Sequence, residues 1–445
     1  MTALDVFKQF EPYFLLTDEK LQEIVRCFRL EMEEGLANYG HDMAMIPAFV
    51  TGVPDGSEEG AFLALDLGGT NLRVCLVLLQ GNHKFQIKQQ KYKVSQALKE
   101  GESRELFDYI AESVDAFLTD VQAQDEIPIF ASSESMHLGF TFSFPVEQTA
   151  IDAGALLTWT KGFNAKNAVG HDVVRLLQDA FDRKHMHVRC SALVNDTVGT
   201  LLSRSYQNGP ALIGAIFGTG TNGAFIDKTQ TIRKLGEERI REEEALGEHA
   251  GKYMVVNTEW GAFDNKANLG EITRNILLYM IDSNILFNGY SSTILETHYG
   301  FDTSFVSAVE GATTNDEVKS HIIHFLDVDS CHITEECLEI VRLACRVVSD
   351  RACKLSACAI AAVVQHTGND KAPDRSVDKG VDVGMDGSVV EFLPRFNERV
   401  RTALEVLLGV EGAARIRMGL AKDGSGVGAA LTALQAKKAL DARKL

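Results

Sequence analysis

The chain has no apolar run long enough to span a membrane: stretches such as residues 358–364 fall far short of the roughly 18 residues required. No membrane partner is expected. Its start, Met1-Thr-Ala-Leu-Asp-Val-Phe-Lys8, lacks both the basic and the apolar regions of a secretory signal. The expected location is therefore cytoplasmic. Eight cysteines, at 27, 75, 190, 331, 337, 345, 353 and 358, form no Cys-x-x-Cys pair. Several lie in apolar segments, where a thiol behaves as a small hydrophobe, so neither disulfides nor a structural zinc site is expected. Positive charge is scarce too, with 44 Lys and Arg against 62 Asp and Glu and a net charge of −18. That balance argues against nucleic acid and anionic lipid as partners, and an anionic substrate must then be met by local donors.

Ordinary globular material remains: 445 residues, 45% hydrophobic and 24% charged, enough for two or more domains with substantial cores. The most informative stretch is Asp66-Leu-Gly-Gly-Thr-Asn71, entered by the apolar run 62–67 and left by the alternating run 72–77. This reads as strand, glycine turn, strand. A dinucleotide fingerprint or a P-loop would instead run from its glycines into a helix. Glycines at such a turn admit a ligand close to the backbone, and successive amides form a nest for phosphate oxygens. Gly218-Thr-Gly-Thr-Asn222 repeats the arrangement between the apolar runs 211–217 and 223–226. Two such hairpins, each ending in Thr-Asn, suggest two related halves.

Thr17 followed by Leu21, Ile24, Val25, Phe28, Met32 and Leu36 predicts a capped amphipathic helix that stops at Asn38-Tyr-Gly40. Helices are expected at 106–118 and 173–181 between strand-like runs at 136–142 and 187–194, an α/β alternation that fits an open mixed sheet. The glutamate-rich stretch 234–252 reads as a solvated surface. Residues 337–364 read as two buried helices and 429–444 as a terminal helix, with Asp423-Gly-Ser-Gly-Val-Gly428 as its start or as a hinge.

Three polar clusters interrupt apolar surroundings between the hairpins: Ser143-Phe144-Pro145, Thr160-Lys161-Gly162 and Asn195-Asp196-Thr197. Polar residues directly after apolar strands sit where open α/β folds bind ligands. At the end of a strand, Asp196 reads equally as a general base for a hydroxyl proton and as a helix N-cap. Asn195-Asp-Thr197 also spells a glycosylation acceptor, a poor reading without a secretory signal.

Leu65–Arg73, Leu138–Pro145, Leu157–Phe163, Asn195–Thr197, Gly218–Asn222 and Asn257–Phe263, taken in order, resemble the motifs of the eukaryotic hexokinase family, with fungal glucokinases the most similar members. The resemblance implies an α/β, actin-like ATPase (ribonuclease H-like) fold, with duplicated small and large domains around a cleft. The expected division is 1–58 as an N-terminal helix and connector on the large domain and 59–196 as the small domain. Residues 197–428 form the large domain, and 429–445 a helix returning to the small one.

By position, the resemblance makes Asp66, Gly68, Gly69, Thr70, Asn71 and Arg73 the first phosphate loop, with Lys91 a further phosphate contact. Gly218, Thr219 and Gly220 become the second loop, and Thr303, Ser307, Gly387 and Ser388 adenosine-pocket positions. Ser143, Phe144, Thr160, Lys161, Asn195, Asp196, Asn222 and Glu259 become hexose ligands. Asp196 becomes the general base and Lys161 a catalytic cation, with ATP as phosphoryl donor and Asp66 holding Mg through water. Glucose or a related hexose is the implied partner, and a monomer or weak homodimer the expected state.

The pattern breaks after Asp264. Where the family carries a long segment with a second sugar-binding glutamate, only Asn265-Lys-Ala-Asn268 stands before Leu269-Gly-Glu-Ile272. Losing one charge-assisted hydrogen bond costs roughly 1.5–3 kcal/mol, on the order of ten- to more than a hundredfold in sugar affinity. The leading expectation is a hexose kinase. A catalytically impaired sugar sensor is the alternative, and an actin-like filament or chaperone ATPase the third, which the sugar clusters oppose.

Overall fold

The computed structural model describes residues 3–69, 71–123, 135–218, 220–245, 251–264, 269–371, 380–421 and 423–442. Its strands run in chain order as β1 (Ile46–Pro47), β2 (Glu59–Leu67), β3 (Asn71–Gln80), β4 (Phe85–Lys93), β5 (Met136–Phe142), β6 (Val146–Ala150) and β7 (Ala153–Leu156). They continue as β8 (Val188–Val194), β9 (Ile213–Phe217), β10 (Thr221–Lys228), β11 (Tyr253–Asn257), β12 (Val381–Asp386) and β13 (Ile416–Leu420). A five-stranded sheet has the order β4-β3-β2-β5-β8, and a six-stranded sheet has β11-β10-β9-β12-β13 with β1 outside β11. In both sheets the hairpin pairings are antiparallel and the two crossover pairings parallel. The two sheets therefore share one topology, the duplication that the paired glycine hairpins predict.

Helices complete the repeat. Val173–Arg183 precedes β8 as Phe396–Ala414 precedes β13, and Asp196–Asn208 follows β8 as Gly424–Ala442 follows β13. Helices Ser103–Ala123 and Val173–Arg183 bury Leu106, Ile110, Leu177 and Phe181 against one face of the first sheet. The outer face of the second sheet is covered by Asp18–Ala37, Glu335–His366 and Phe396–Ala414. Thr17 caps Asp18–Ala37, and Leu21, Val25, Phe28, Met32 and Leu36 are buried, as the periodicity predicts. Helices Asp196–Asn208 and Gly424–Ala442 fill the layer between the sheets, where Val198, Leu202, Val427 and Leu431 share a core with Ala64, Val77 and Val255.

These two inner helices meet at glycines. A Cβ on Gly428 would lie 2.1 Å from the Gly199 Cα, and one on Gly139 of β5 would lie 2.1 Å from the Ala429 carbonyl oxygen. The C-terminal helix accordingly begins at Gly424, which makes the glycine run its start and not a hinge. Glycine's low helix propensity is overridden because only a surface without side chains permits this approach. Two expectations are corrected. Residues 335–366 form one 32-residue helix, not two, since neither Gly nor Pro interrupts them. The acidic run forms the helix Glu237–Glu244, yet Glu243 is buried and held 2.8 Å from Arg239, so that stretch is not wholly solvated.

Candidate active site

Register places three chain crossings side by side. Leu67 of β2 pairs with Phe142 of β5, and Thr141 of β5 pairs with Val194 of β8. Gly68, Ser143 and Asn195-Asp196 therefore leave one edge of the first sheet together, the edge where open α/β sheets present their ligand residues. The ambiguity over Asp196 resolves at this point. Asn195 is the N-cap, its Oδ1 accepting from the Thr197 amide at 2.9 Å and the Thr197 hydroxyl at 2.7 Å. Asp196 is relieved of capping, and its Oδ2 accepts from the Ser143 hydroxyl at 3.1 Å. Burial pushes its carboxyl above the ordinary aspartate range, Lys161 opposes that shift, and Asp66 adds to it.

On the first hairpin, Lys91, Arg73, Asp66 and Thr141 lie in one cross-strand row. Arg73 pairs with Asp66 at 2.6 Å, and the Ser425 hydroxyl donates to the same Asp66 oxygen at 2.9 Å. The turn is closed by Gly68 N–H to the Asn71 carbonyl at 3.1 Å. A Cβ on Gly69 would sit 3.4 Å from the Lys161 Cβ, which places that lysine beside the loop. Lys161 itself has a left-handed backbone, φ 55°, an uncommon conformation for a residue with a side chain. Its ammonium stands 5.6 Å from the Phe144 ring centroid. Phe144 is buried among Phe142, Trp159 and Phe163, a platform beneath Lys161. Thr160 is exposed, and its carbonyl accepts from the Phe163 amide at 3.0 Å.

The second sheet contributes an amide and carboxylate cluster. Asn222 Nδ2 donates to Asn257 Oδ1 at 2.9 Å and to Glu259 Oε1 at 3.1 Å, and Asn257 Nδ2 donates to the same Glu259 oxygen at 2.7 Å. Glu259 has φ 55°. Burial raises its carboxyl above the ordinary range, Asn257 opposes this, and Asp196 adds to the rise. Ser143, Lys161, Asp196, Asn222 and Glu259 are thus tied together by contacts or charge, and Asn195 adjoins them in sequence.

The second turn is closed by Gly218 N–H to the Gly220 carbonyl at 2.9 Å. Gly218 faces Ser388 at 3.7 Å from its would-be Cβ, and a Cβ on Gly387, whose φ is 112°, would meet the Phe217 carbonyl oxygen at 2.4 Å. The backbone here forms a cradle that side chains would fill. Thr303 and Ser307 lie on or beside the helix Ser304–Gly311, which packs against the short helix Ser388–Phe392. They reach the second turn only through that helix. Lys91 is exposed on the edge strand beside Arg73. Thr70 and Thr219 lie outside the described residues. Behind the second turn, a cavity of about 350 Å³ is lined by Phe28, Phe217, Trp260, Phe263 and Leu269. The last two flank the shortened junction.

Three participants escape sequence reading. Ser425 touches Asp66 and Arg73 from the far end of the chain, and Asp386, whose carboxyl burial raises, stands close enough for Arg73 to oppose that rise. Asn257 was visible only as the first letter of a motif, two residues before Glu259.

Comparison with known proteins agrees with this geometry. Family models described as hexokinase match residues 6–206, and then 212–269 and 267–435. The second match breaks where the sequence departs from the family pattern. A glucokinase from Aspergillus niger is 37% identical over 99% of this chain and 98% of its own length. Hexokinase-1 from Schizosaccharomyces pombe is 36% identical over 98% of this chain and 92% of its own. Among solved structures, a hexokinase from Schistosoma mansoni complexed with glucose superposes with a TM-score of 0.82 at 31% identity, covering 98% of this chain and 100% of that one. The repeated sheets, the paired glycine turns and these full-length matches together make the chain a member of the hexokinase family, with the actin-like ATPase fold.

Proposed function

We propose that this chain transfers the γ-phosphoryl group of ATP to the 6-hydroxyl of glucose or a related hexose, with Asp196 as the general base. The observation that carries this reading is the position of Asp196: freed from capping by Asn195, bonded to Ser143 and electrostatically coupled to Lys161, Asp66 and Glu259. Ser143, Thr160, Lys161, Asn195, Asn222 and Glu259 hold the sugar hydroxyls, each of which both donates and accepts. Asp196 takes the 6-hydroxyl proton, the freed oxygen bonds to the γ-phosphorus, the bond to the bridging oxygen breaks, and ADP leaves with that electron pair. A carboxyl raised by burial suits the role, because a base works best with a pKa nearer the working pH.

Phosphoryl transfer is mainly positioning and charge neutralisation. Lys161, the amides of both turns and Arg73 neutralise the phosphates, while Gly387 and Ser388 extend the cradle toward the nucleoside. Lys91, Thr303 and Ser307 take outer nucleotide positions. The donor set fits Mg: Arg73 and Ser425 occupy one Asp66 oxygen, which leaves the other for a water of a cation that keeps several waters. Bound there, Mg neutralises charge on the phosphate oxygens.

We divide the chain into a small domain over 59–196 and a large domain over 197–428, a reading supported by the separate sheets built from β2–β5 with β8 and from β9–β13. Among the described residues no helix is long and apolar enough to cross a membrane, and we place the protein in the cytoplasm as a monomer or weak homodimer. Glucose 6-phosphate formation measured for wild type and Asp196→Asn tests the reading. The variant should lose at least a hundredfold in turnover while retaining ATP binding; wild-type turnover in the variant would remove Asp196 from this role.

A further inference from the structure

Two residues read as sugar ligands, Asn222 and Glu259, converge on a third side chain to which the sequence motifs assign no role. Asn257, at the end of β11, is buried. Its Nδ2 donates to Glu259 Oε1 at 2.7 Å and its Oδ1 accepts from Asn222 Nδ2 at 2.9 Å, with the Thr197 hydroxyl oxygen 3.5 Å from that same oxygen. Thr197 is in turn the residue that holds Asn195.

The direction of these bonds follows from chemistry. An ionised carboxylate only accepts, so the amide of Asn257 must turn its NH₂ toward Glu259 and its oxygen toward Asn222. Asn222 must then turn its own NH₂ inward, and its Oδ1 takes the Gly223 amide at 2.8 Å. One buried amide thereby fixes the orientation of a second amide and of a carboxylate. It does so at a residue whose backbone is already in the left-handed region, where the side chain has few other supports. Glu259 Oε1 is occupied by protein donors, which leaves Oε2 for a ligand hydroxyl. The longer Asn222 to Glu259 bond, 3.1 Å, is the one a sugar would replace.

We propose that Asn257 is a positioning residue that presents Glu259 and Asn222 to the sugar in a fixed donor and acceptor pattern. It governs affinity for the hexose and leaves nucleotide binding alone. The inference rests on the proposed hexose-kinase reading. Charged groups acting on Glu259 are Asp196, which raises its carboxyl, and Lys161, which lowers it; both are present in every variant considered.

The test measures KM for glucose and for ATP across pH 6 to 8.5 in wild type, Asn257→Ala and the isosteric Asn257→Asp. Wild-type glucose 6-phosphate formation is the control on the parent reading, and its absence would sink that reading on its own. With wild type active, Asn257→Ala should raise the glucose KM about tenfold, the cost of one hydrogen bond to a charged group, with the ATP KM within twofold. Asn257→Asp sets two carboxyls in contact, and these must share a proton. Its glucose KM should therefore climb with pH where the wild-type value is flat, a signature that mere loss of packing would not produce. Should Asn257→Ala fail to fold, Asn257→Asp and its pH dependence decide the matter. A glucose KM within twofold of wild type at every pH in Asn257→Asp overturns the inference.

Discussion

Two carboxyls in this site, Asp196 and Glu259, are held above their ordinary range chiefly by burial, and that has a cost to the fold as well as a use. When a native carboxyl has the higher pKa, the folded state binds more protons than the unfolded one between the two values, so stability declines as pH rises through that window. Asp196→Asn should therefore melt at a higher temperature than wild type at pH 7, with the gain shrinking toward pH 4; a lower melting temperature at pH 7 would contradict the burial argument. Glu271 works in the opposite sense. The Arg274 guanidinium, bonded at 2.5 Å, pulls its carboxyl down to about 2, so its contribution is present above the unfolded value and is lost as pH falls through the range below it. Both partners are buried, and Glu271→Ala should cost about 3–5 kcal/mol in denaturant unfolding because it strands the guanidinium.

Among elements, the inner helix pair is the most exacting. Gly428→Ala places a methyl 2.1 Å from a backbone atom of the facing helix, and overpacking of this kind costs about 1–3 kcal/mol. The helices would have to separate, so the expected result is reduced stability together with reduced kcat, read by chemical denaturation and initial rates. Unchanged values for both would show that the crossing is loose. Most elements are legible in the sequence where one rule dominates: the period of Asp18–Ala37, the alternation of β3, the glycine turns. The readings left open share a cause. The C-terminal helix starts in a glycine run because a distant glycine faces it, and the fate of Asp196 depended on whether its neighbour took the cap. Each is decided by a tertiary partner that local reading does not contain. Ser425 and Asn257 were hidden for the same reason, being joined to the site through space across hundreds of residues or through a side-chain relay.

On the scale of the whole molecule, Phe263 and Leu269, which bracket the shortened junction in sequence, help to line the apolar cavity behind the second turn. Restoring a relative's segment there should lower the glucose KM by on the order of ten- to a hundredfold, the return of one charge-assisted bond, and should raise the melting temperature by covering the cavity walls. Equal KM values for the chain with and without the segment would mean that Glu259 and its neighbours suffice alone.

The helix Gly424–Ala442 touches the strands of the first sheet and lies across the helix that follows β8, although in sequence it follows the second sheet. A cut just before Gly424 would thus leave two incomplete halves instead of one finished half and one damaged one.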